Sequence, residues 1–327
     1  MKKSIRVLLI LVLVVVALGN FIQTGYYLIR PGSAESLGDR VWVEGKMRDE
    51  EGQFFMVTVA QQEANLWNFL YAGFSPVLDL RPVSRVIPPG MSLEEYNKIM
   101  QGWMQDSKYL AQVIALQKAG YDVSIASDGV EIKDIIPGSP AEGVLKEGDV
   151  IKSVDGEIVY LAEEVVNLIQ AKEIGRPVSL MVQRGGDLLN FVLNTTSHMD
   201  QPEKAALRIY VSTLNWQPLL PLDINIETGP VIGPSAGVMF VLEILDRLVP
   251  ENLTGGHSIA GTGAIALDGK IGGIGGVKQK VVAAERAGIE YFLAPEENYE
   301  EARQVARDIQ VVSVRNLEDV LQFLQGL

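Results

Sequence analysis

The chain has 327 residues, 47% of them hydrophobic, and 28 basic side chains stand against 41 acidic ones for a net charge of −13. This excess of negative charge disfavours a nucleic-acid partner, because phosphates would be repelled. With no cysteine and two histidines, disulfides and a cysteine nucleophile are excluded and a metal site is disfavoured. We expect a well-cored protein with room for two domains.

The N-terminus has the pattern of a membrane-targeting segment. Basic residues within the first six positions precede an apolar run, Val7–Ile29, that contains few polar side chains. A run of this length can cross a bilayer, which needs roughly 20 residues, and Tyr26 and Tyr27 would then lie at the far interface. The positive flank predicts a cytoplasmic N-terminus, with everything after Arg30 outside the cell membrane.

A cleaved export signal is the competing interpretation, because Ala17 and Gly19 form a small-x-small site. That cut would fall inside the apolar run, so we favour an uncleaved anchor. We therefore assign residues 1–30 to a transmembrane helix and predict a single-pass membrane protein.

The segment 31–118 predicts strands followed by a long helix. Arg40–Val43 and Phe54–Val59 are rich in β-branched and aromatic residues. Ser92 opens a capping-box pattern, and apolar residues then recur at helical spacing. We expect this segment to form the N-terminal part of a larger unit that continues later in the chain.

The middle of the chain, residues 119–196, changes to short strands separated by turns. Its marks are, in order, a turn at Pro137–Ala141, a strand at Gly148–Ile151, an Asp155-Gly156 turn, an amphipathic helix at Glu163–Gln170 and a strand at Val178–Arg184. Together they resemble a bacterial PDZ domain. The resemblance implies capture of an extended peptide at a sheet edge, usually by its C-terminal carboxylate. It places the peptide-binding loop near Gly120, Tyr121, Asp122 and Val123; a purely structural PDZ domain is the alternative.

A serine lies on a glycine-flanked turn, Gly233-Pro234-Ser235-Ala236-Gly237, directly before an apolar run that predicts a helix. At a helix N-terminus, free N–H groups and the helix dipole can hold a developing oxyanion. Two histidines far apart in sequence make a Ser-His-Asp triad hard to build. A lysine whose pKa is lowered by burial is the other established base for a serine nucleophile. The plain alternative is a serine that merely caps the helix.

Two lysines follow in the segment that begins at Gly275, namely Lys278 and Lys280. On a helix they would lie about 200° apart, so only one of them can face the serine. Lys280 shares its face with the apolar Val277 and Val281, where desolvation would make it less basic. We expect Lys278 to be a solvated surface lysine.

These motifs resemble the proteolytic domain of the Lon (S16) family, which has a Gly-Pro-Ser-Ala-Gly nucleophile turn, a Thr-Gly pair and a Gly-Gly-x-x-x-Lys segment. With the anchor and the PDZ domain, nearly the whole chain resembles the membrane-anchored PDZ-Lon proteases. The resemblance implies that Ser235 is the nucleophile, Lys280 the base and Thr262 the partner of the lysine amine. The turn that includes Gly233, Pro234 and Ala236 would supply the oxyanion hole.

For the fold, the resemblance implies an α+β architecture of the ribosomal-S5-like domain 2 type. The proteolytic domain would occupy residues 197–327, with the PDZ β-barrel-like domain at 119–196 inserted between it and 31–118. Family resemblance also suggests a homo-oligomer, commonly a hexameric ring.

No Walker A loop or dinucleotide-binding fingerprint occurs in the sequence, so we expect no ATP and no cofactor. We predict an ATP-independent serine endopeptidase that cleaves unfolded or flexible proteins outside the membrane, with a PDZ ligand that recruits or regulates. One alternative is a noncatalytic PDZ tether with a retired Lon-like domain. Another is a Ser-Lys esterase or amidase for small substrates.

Overall fold

The computed structural model of the chain describes residues 10–11, 13–14, 17–47, 51–87, 90–199 and 201–327. They form two compact units. The first unit comprises the described residues of Met1–Asp122 together with Leu220–Leu327, and the second unit comprises Val123–Leu219. Both units mix helices and strands, which confirms that part of the predicted α+β fold.

In chain order the strands are β1 (Gln23–Ser36), β2 (Val41–Val43), β3 (Gln53–Asn65), β4 (Asp79–Pro82), β5 (Ser124–Ala126), β6 (Val130–Ile135), β7 (Val150–Val154), β8 (Glu157–Ile158), β9 (Pro177–Arg184), β10 (Asp187–Asn194), β11 (Thr196–Ser197), β12 (Ala205–Ala206), β13 (Ile209–Thr213), β14 (Gln217–Leu219), β15 (Ile224–Ile226), β16 (Ser258–Gly261), β17 (Ala264–Ile265), β18 (Ile271–Gly272), β19 (Tyr291–Pro295) and β20 (Gln310–Val314). The helices are α1 (Leu66–Ala72), α2 (Val83–Val86), α3 (Leu93–Lys118), α4 (Ala162–Gln170), α5 (Gly237–Leu248), α6 (Val277–Arg286), α7 (Tyr299–Arg303) and α8 (Leu317–Leu324), with a 3₁₀ turn at Glu296–Asn298.

The first unit is built on a six-stranded sheet in the order β20-β19-β16-β3-β1-β4. Its β3, β16, β19 and β20 run parallel, whereas β1 is antiparallel to both β3 and β4. Because strand side chains alternate between faces, Val57, Ala260 and Phe292 pack on α6. The helix α5 is buried along almost its whole length and contacts α3. The sheet and these helices position the site described below.

Residues Gln23–Ile29 belong to β1, so the prediction that a membrane helix extends to Ile29 is wrong. Tyr27 and Leu28 are buried in the core of the first unit, and this part of β1 pairs with both β3 and β4. The expected position of Tyr27 at a membrane interface is wrong for the same reason, and the ring of Tyr26 packs edge-on against Phe69 of α1. The apolar character of this stretch is that of a strand buried between neighbours.

The remainder of the predicted anchor is described only in part. Residues 10–11, 13–14 and 17–19 are helical, whereas 1–9, 12, 15 and 16 lie outside the described residues. Among the helices that the structure does describe, none combines the length and the apolar character needed to cross a bilayer.

The second unit has a sheet in the order β10-β9-β7-β6-β13, with β8 paired to β7. Its core includes Val130, Ile151, Leu180 and Val182 from these strands, and Val165 of α4 packs against them. The predicted boundary at residue 196 differs from the structure. Residues 197–219 lie in the second unit, because β13 pairs with β6 and β14 pairs with β5. At the other end, residues 119–122 belong to the first unit.

Candidate active site

Ser235 lies on the turn between β15 and α5. Gly233 has φ of 92°, a left-handed conformation that side chains disfavour, and its N–H donates to the carbonyl of Met100 at 3.1 Å. The helix begins at Gly237 with Ala236 as its N-cap. The chain therefore presents Ser235 just before the first turn of a buried helix.

Lys280 reaches this serine from the first half of α6. Its Nζ lies 2.7 Å from Ser235 Oγ and 2.8 Å from Thr262 Oγ1. The whole lysine is 3% exposed, and Val277 and Val281 on the same helix are fully buried. The structure thus brings together the serine, the lysine and the threonine that the sequence singles out.

Burial lowers the pKa of the Lys280 amine from its ordinary 10.5 to about 7, because a charged ammonium loses its hydration there. A substantial fraction of the amine is therefore neutral near pH 7. A neutral amine has a free electron pair, so at 2.7 Å it can accept a proton from the Ser235 hydroxyl.

Thr262 orients the amine through a hydrogen bond of its own. Its hydroxyl donates to the backbone carbonyl of Ser235 at 2.8 Å, which turns the oxygen lone pairs toward Lys280. The Gly263 N–H donates to the same carbonyl at 2.8 Å. Two hydrogen bonds thus attach the serine turn to the end of β16, and the Ser235 carbonyl accepts both of them.

The first N–H groups of the serine turn are available to an anion. In the part of the chain that the structure describes, the N–H groups of Ser235 and Ala236 donate to no protein acceptor. They precede the N-terminus of α5, where the helix dipole favours negative charge. The arrangement can stabilise an oxyanion that forms on a carbonyl attacked by Ser235 Oγ.

Helix α3 supplies a contact that the sequence analysis missed. Ser107 is 3% exposed, and its hydroxyl donates to the carbonyl of Pro234 at 3.1 Å. A Cβ added to Gly237 would lie 2.7 Å from Ser107 Oγ, so the glycine permits this close approach. The available signal was a serine on the apolar face of an amphipathic helix, which alone does not identify its partner.

Lys278 is not the solvated lysine that we expected. Its Nζ lies 2.9 Å from Asp79 Oδ1 and 3.8 Å from a carboxylate oxygen of Glu301, and its side chain is only partly exposed. The ion pair links α6 to β4 and α7. As expected, however, Lys278 points away from the serine.

The Ser235–Lys280 pair opens onto a cleft of about 710 Å³, which we call the serine cleft. Its walls come from β1, β3, α3 and the turn before Ser235. The residues that define it are Tyr27, Ser33, Glu35, Val57, Thr58, Val59, Gln61, Leu93, Tyr96, Asn97, Met100, Pro230, Val231, Ile232, Ser235, Gly275 and Lys280. The cleft is mostly uncharged, and its Glu35 is paired with Arg40.

The second unit has a groove of about 180 Å³ between α4 and the segment 205–211. Val166 and Ile169 line one side and Ile209 the other. None of the four residues predicted for peptide binding, Gly120, Tyr121, Asp122 and Val123, lines this groove. They follow α3 in the chain, whereas the strand beside the groove is β13, whose β-branched run the sequence analysis left unassigned.

No metal centre is formed by the residues that the structure describes, among which no group of three or more His, Asp or Glu side chains is suitably placed.

Two family models match the chain. Residues 222–325 match the Lon protease (S16) C-terminal proteolytic domain, and residues 113–195 match the PDZ domain. The first match contains the serine turn, Thr262 and Lys280. The second match ends before β13, which completes the sheet of the second unit.

Among similar proteins, a Lon protease of Campylobacter concisus is 37% identical over 108 residues, which are 31% of this chain and 13% of that protein. A Lon protease of Mycoplasma pneumoniae is 30% identical over 204 residues, 53% of this chain and 25% of that protein. The chain thus spans a quarter or less of these relatives.

The PDZ domain of an SdrC-like protein from Listeria innocua, known from a crystal structure, is 24% identical with a TM-score of 0.24 and covers 26% of this chain and 93% of that chain. The family matches agree with the resemblance drawn from the sequence: residues 222–325 are similar to the proteolytic domain of the Lon (S16) serine peptidases, and residues 113–195 are similar to a PDZ domain.

Proposed function

We propose that the protein is an ATP-independent serine endopeptidase in which Ser235 is the nucleophile and Lys280 the general base. The observation that carries the proposal is the 2.7 Å separation of Lys280 Nζ and Ser235 Oγ around a fully buried amine. A pKa of about 7 suits a base that works near neutral pH.

In the proposed reaction the neutral Lys280 amine takes the Ser235 hydroxyl proton while Oγ bonds to a peptide carbonyl carbon. The negative charge on the carbonyl oxygen is held by the N–H groups of Ser235 and Ala236. Lys280 then gives its proton to the departing amine as the C–N bond breaks, which leaves an ester on Ser235. A water molecule, deprotonated by Lys280, attacks that ester, and the proton returns to Ser235 Oγ.

The shape of the serine cleft favours an extended protein substrate over a small ester. Its 710 Å³ exceeds what a single side chain fills. Along one wall, β1 pairs with β4 only over Tyr26–Ile29, and its later residues, from Arg30 to Ser36, have no strand on that side among the described residues. An extended chain can add to such an edge through backbone hydrogen bonds.

The test is cleavage of casein by the full chain without ATP, compared with Ser235→Ala, Lys280→Ala and Lys278→Ala. We expect cleavage to be lost in the first two variants and retained in the third. This result would identify Lys280, and not Lys278, as the lysine of α6 that acts on the serine. Turnover of small esters without casein cleavage would favour the esterase alternative. Peptide binding with no hydrolysis of either substrate would favour the tether.

We propose further that the second unit binds peptides in the groove between α4 and β13. β13 is the last strand of its sheet, so its outer edge offers unpaired N–H and C=O groups. The apolar side chains Val166 and Ile169 can receive a ligand side chain. This replaces the Gly120–Val123 loop as the proposed peptide site.

Fluorescence polarisation with a C-terminal peptide library measures this binding on the full chain. Val166→Lys places a charge in the groove and is expected to abolish binding. Val192→Lys, a matched change at an exposed position of β10 outside the groove, should leave it unaltered. Equal binding by both variants would refute the groove.

We also propose that the apolar run from Val7 to Gly19 anchors the protein in the cell membrane, with both units on the extracytoplasmic side. The support is the basic flank followed by an uncharged run. A homo-oligomeric ring stays a proposal from family resemblance, and mass photometry of the detergent-solubilised chain would count its copies.

A further inference from the structure

A set of exposed apolar side chains lies on the residues just before β1 and on the end of α1 with the turn that follows it. We call it the apolar rim and define it by Phe21, Ile22, Leu70, Tyr71 and Phe74. Phe74 is 89% exposed and Phe21 is 83% exposed. Soluble surfaces rarely cluster large apolar groups in this way, and such clusters mark contact surfaces.

The rim is joined to the N-terminal segment by direct contacts. The backbone of Gly19 lies against the Trp67 indole, so close that an added Cβ would overlap it. The Asn65 amide donates to the Asn20 side chain at 3.2 Å, and the Leu66 N–H donates to the Ile22 carbonyl at 3.1 Å. The start of α1 is therefore fixed to the end of the N-terminal segment.

The composition of the rim is that of a lipid-facing surface. No charged residue occurs in Ala64–Leu78, which includes all of α1. The amphipathic ring of a tyrosine such as Tyr71 favours the membrane–water interface, and the exposed Phe74 adds apolar area beside it.

The length of the N-terminal segment brings the rim to the bilayer. The uncharged run Val7–Gly19 has 13 residues, which corresponds to about 20 Å at the 1.5 Å rise of a helix, whereas the hydrocarbon core is about 30 Å thick. An anchor this short leaves no spacer between the membrane and β1, which begins at Gln23. A short span is accommodated when its flanking residues move into the interface.

We propose that the apolar rim rests in the membrane interface, so that α1 holds the first unit against the bilayer beside its anchor. The partner is a lipid surface, and the interaction is burial of aromatic and aliphatic side chains at headgroup depth. The inference rests on the membrane anchoring proposed above. It does not depend on peptide hydrolysis.

The absence of cysteine makes a direct test practicable. Single cysteines at Tyr71→Cys and Phe74→Cys, in the full chain, carry an environment-sensitive fluorophore in vesicles of phosphatidylethanolamine and phosphatidylglycerol. Leu13→Cys reports the anchor. Leu188→Cys is the matched control, since it is an exposed apolar residue in the second unit.

We expect the labels at 71 and 74 to shift to shorter emission wavelengths and to lose intensity when lipids carry nitroxides near the headgroup. The label at 188 should respond only to aqueous iodide. Suppose that the label at 13 is in lipid. If iodide then quenches the label at 74 and lipid nitroxides do not, the proposal is overturned. A shifted label that neither quencher reaches would indicate a second copy over the rim and would equally overturn it.

Two further results would overturn the proposal because they show that the anchor is not in the membrane. One is water access to all four labels, and the other is a purified chain that lacks residues 1–19. Casein cleavage measured in the same vesicles reports on the proposed peptidase separately. An active enzyme with an exposed rim refutes only this inference, and an inactive enzyme with a buried rim refutes only the peptidase.

Discussion

Lys280 carries the chemistry of the proposed mechanism, and its ionisation predicts the pH dependence of activity. The base must be neutral, and burial places its pKa at about 7. We therefore expect kcat/KM for casein or a peptide reporter to rise with pH around an apparent pKa of about 7 and then to level off. A rate that is flat between pH 6 and pH 8 would argue that another group is the base.

The same ionisation makes folding stability depend on pH. The unfolded chain holds the Lys280 proton with a pKa of 10.5 and the folded chain with about 7, so the lysine lowers stability at every pH below 10.5. The penalty is on the order of 5 kcal/mol at pH 6 and on the order of 2 kcal/mol at pH 9. It disappears as the pH rises to the unfolded value.

We expect Lys280→Met to stabilise the protein by about 3 kcal/mol more at pH 6 than at pH 9, measured by urea unfolding beside the parent chain. Loss of the lysine hydrogen bonds affects both conditions alike and cancels in the comparison. A stability difference that does not change with pH would mean that the amine is not desolvated.

At Thr262 we expect the side-chain hydroxyl, and not only the side-chain volume, to be needed for activity. Thr262→Val keeps the volume but removes the acceptor 2.8 Å from Lys280 and the donor to the Ser235 carbonyl. Loss of such a bond costs about 1.5–3 kcal/mol, which corresponds to roughly tenfold to a hundredfold in kcat/KM. Thr262→Ser retains the hydroxyl, and we expect it to restore most of the rate; equal loss in both would assign Thr262 a packing role.

Ser107 is a positioning residue, because it holds the serine turn through the Pro234 carbonyl without reaching the reacting atoms. Ser107→Ala removes one of the two donors to that carbonyl and leaves only the Gly237 N–H at 3.3 Å, and we expect kcat to fall by about tenfold to a hundredfold as the turn shifts. KM and the apparent pKa of about 7 should stay as in the parent chain. A raised KM with normal kcat would place Ser107 in substrate binding instead.

At the scale of secondary structure, the N-terminus of α6 determines where Lys280 lies. Gly276 caps this helix with φ of 77°, and a Cβ there would lie 2.9 Å from a Val59 methyl group. The Lys280 N–H bonds to the Gly276 carbonyl at 3.1 Å. Displacement of the cap therefore moves the amine.

Gly276→Ala should lower both stability and kcat, whereas Gly288→Ala is the matched control. Gly288 follows α6 at φ of 75° with open space around its Cα. Both substitutions incur about 1–2 kcal/mol of backbone strain, but only the first also meets Val59. Thermal unfolding and casein cleavage separate the two effects, and equal activity in both variants would contradict a role for the cap.

Much of the first unit was predictable from local patterns. The capping box at Ser92 and Glu95 forms as expected, and the glycine-flanked serine precedes a buried helix. The misassigned element is β1, whose Tyr27, Leu28 and Ile29 are as apolar as a membrane helix because neighbours cover the strand on both edges and faces. Hydrophobicity records burial but does not say whether lipid or protein provides it.

Contacts between distant segments were beyond the sequence. Ser107 and Pro234 are 127 residues apart. Helix and strand periodicities relate only residues that are close in sequence, so they could not predict this contact. β13 was missed for a related reason. It pairs with β6, which lies near the other end of the second unit in sequence, so the pairing is set by the topology of the sheet and not by adjacency in the chain.

At the scale of the whole molecule, one chain combines a buried Ser-Lys pair, a unit with an apolar peptide groove and an apolar rim beside the N-terminal segment. The second unit is inserted in the chain between the two parts of the first unit, which end at Asp122 and resume at Leu220. A C-terminal peptide that fills the groove is expected to alter the rate of casein cleavage in the parent chain. It should have no effect in Val166→Lys.

Identification of the covalent intermediate tests directly whether Ser235 is the nucleophile. The full chain is mixed with a slowly hydrolysed peptide ester, quenched in acid and digested, and the acylated peptide is sequenced by mass spectrometry. We expect one acyl group on Ser235, formed by the parent chain and by Lys278→Ala but not by Lys280→Ala. An acyl group on another residue, or undiminished casein cleavage by Ser235→Ala at the same purity, would contradict it.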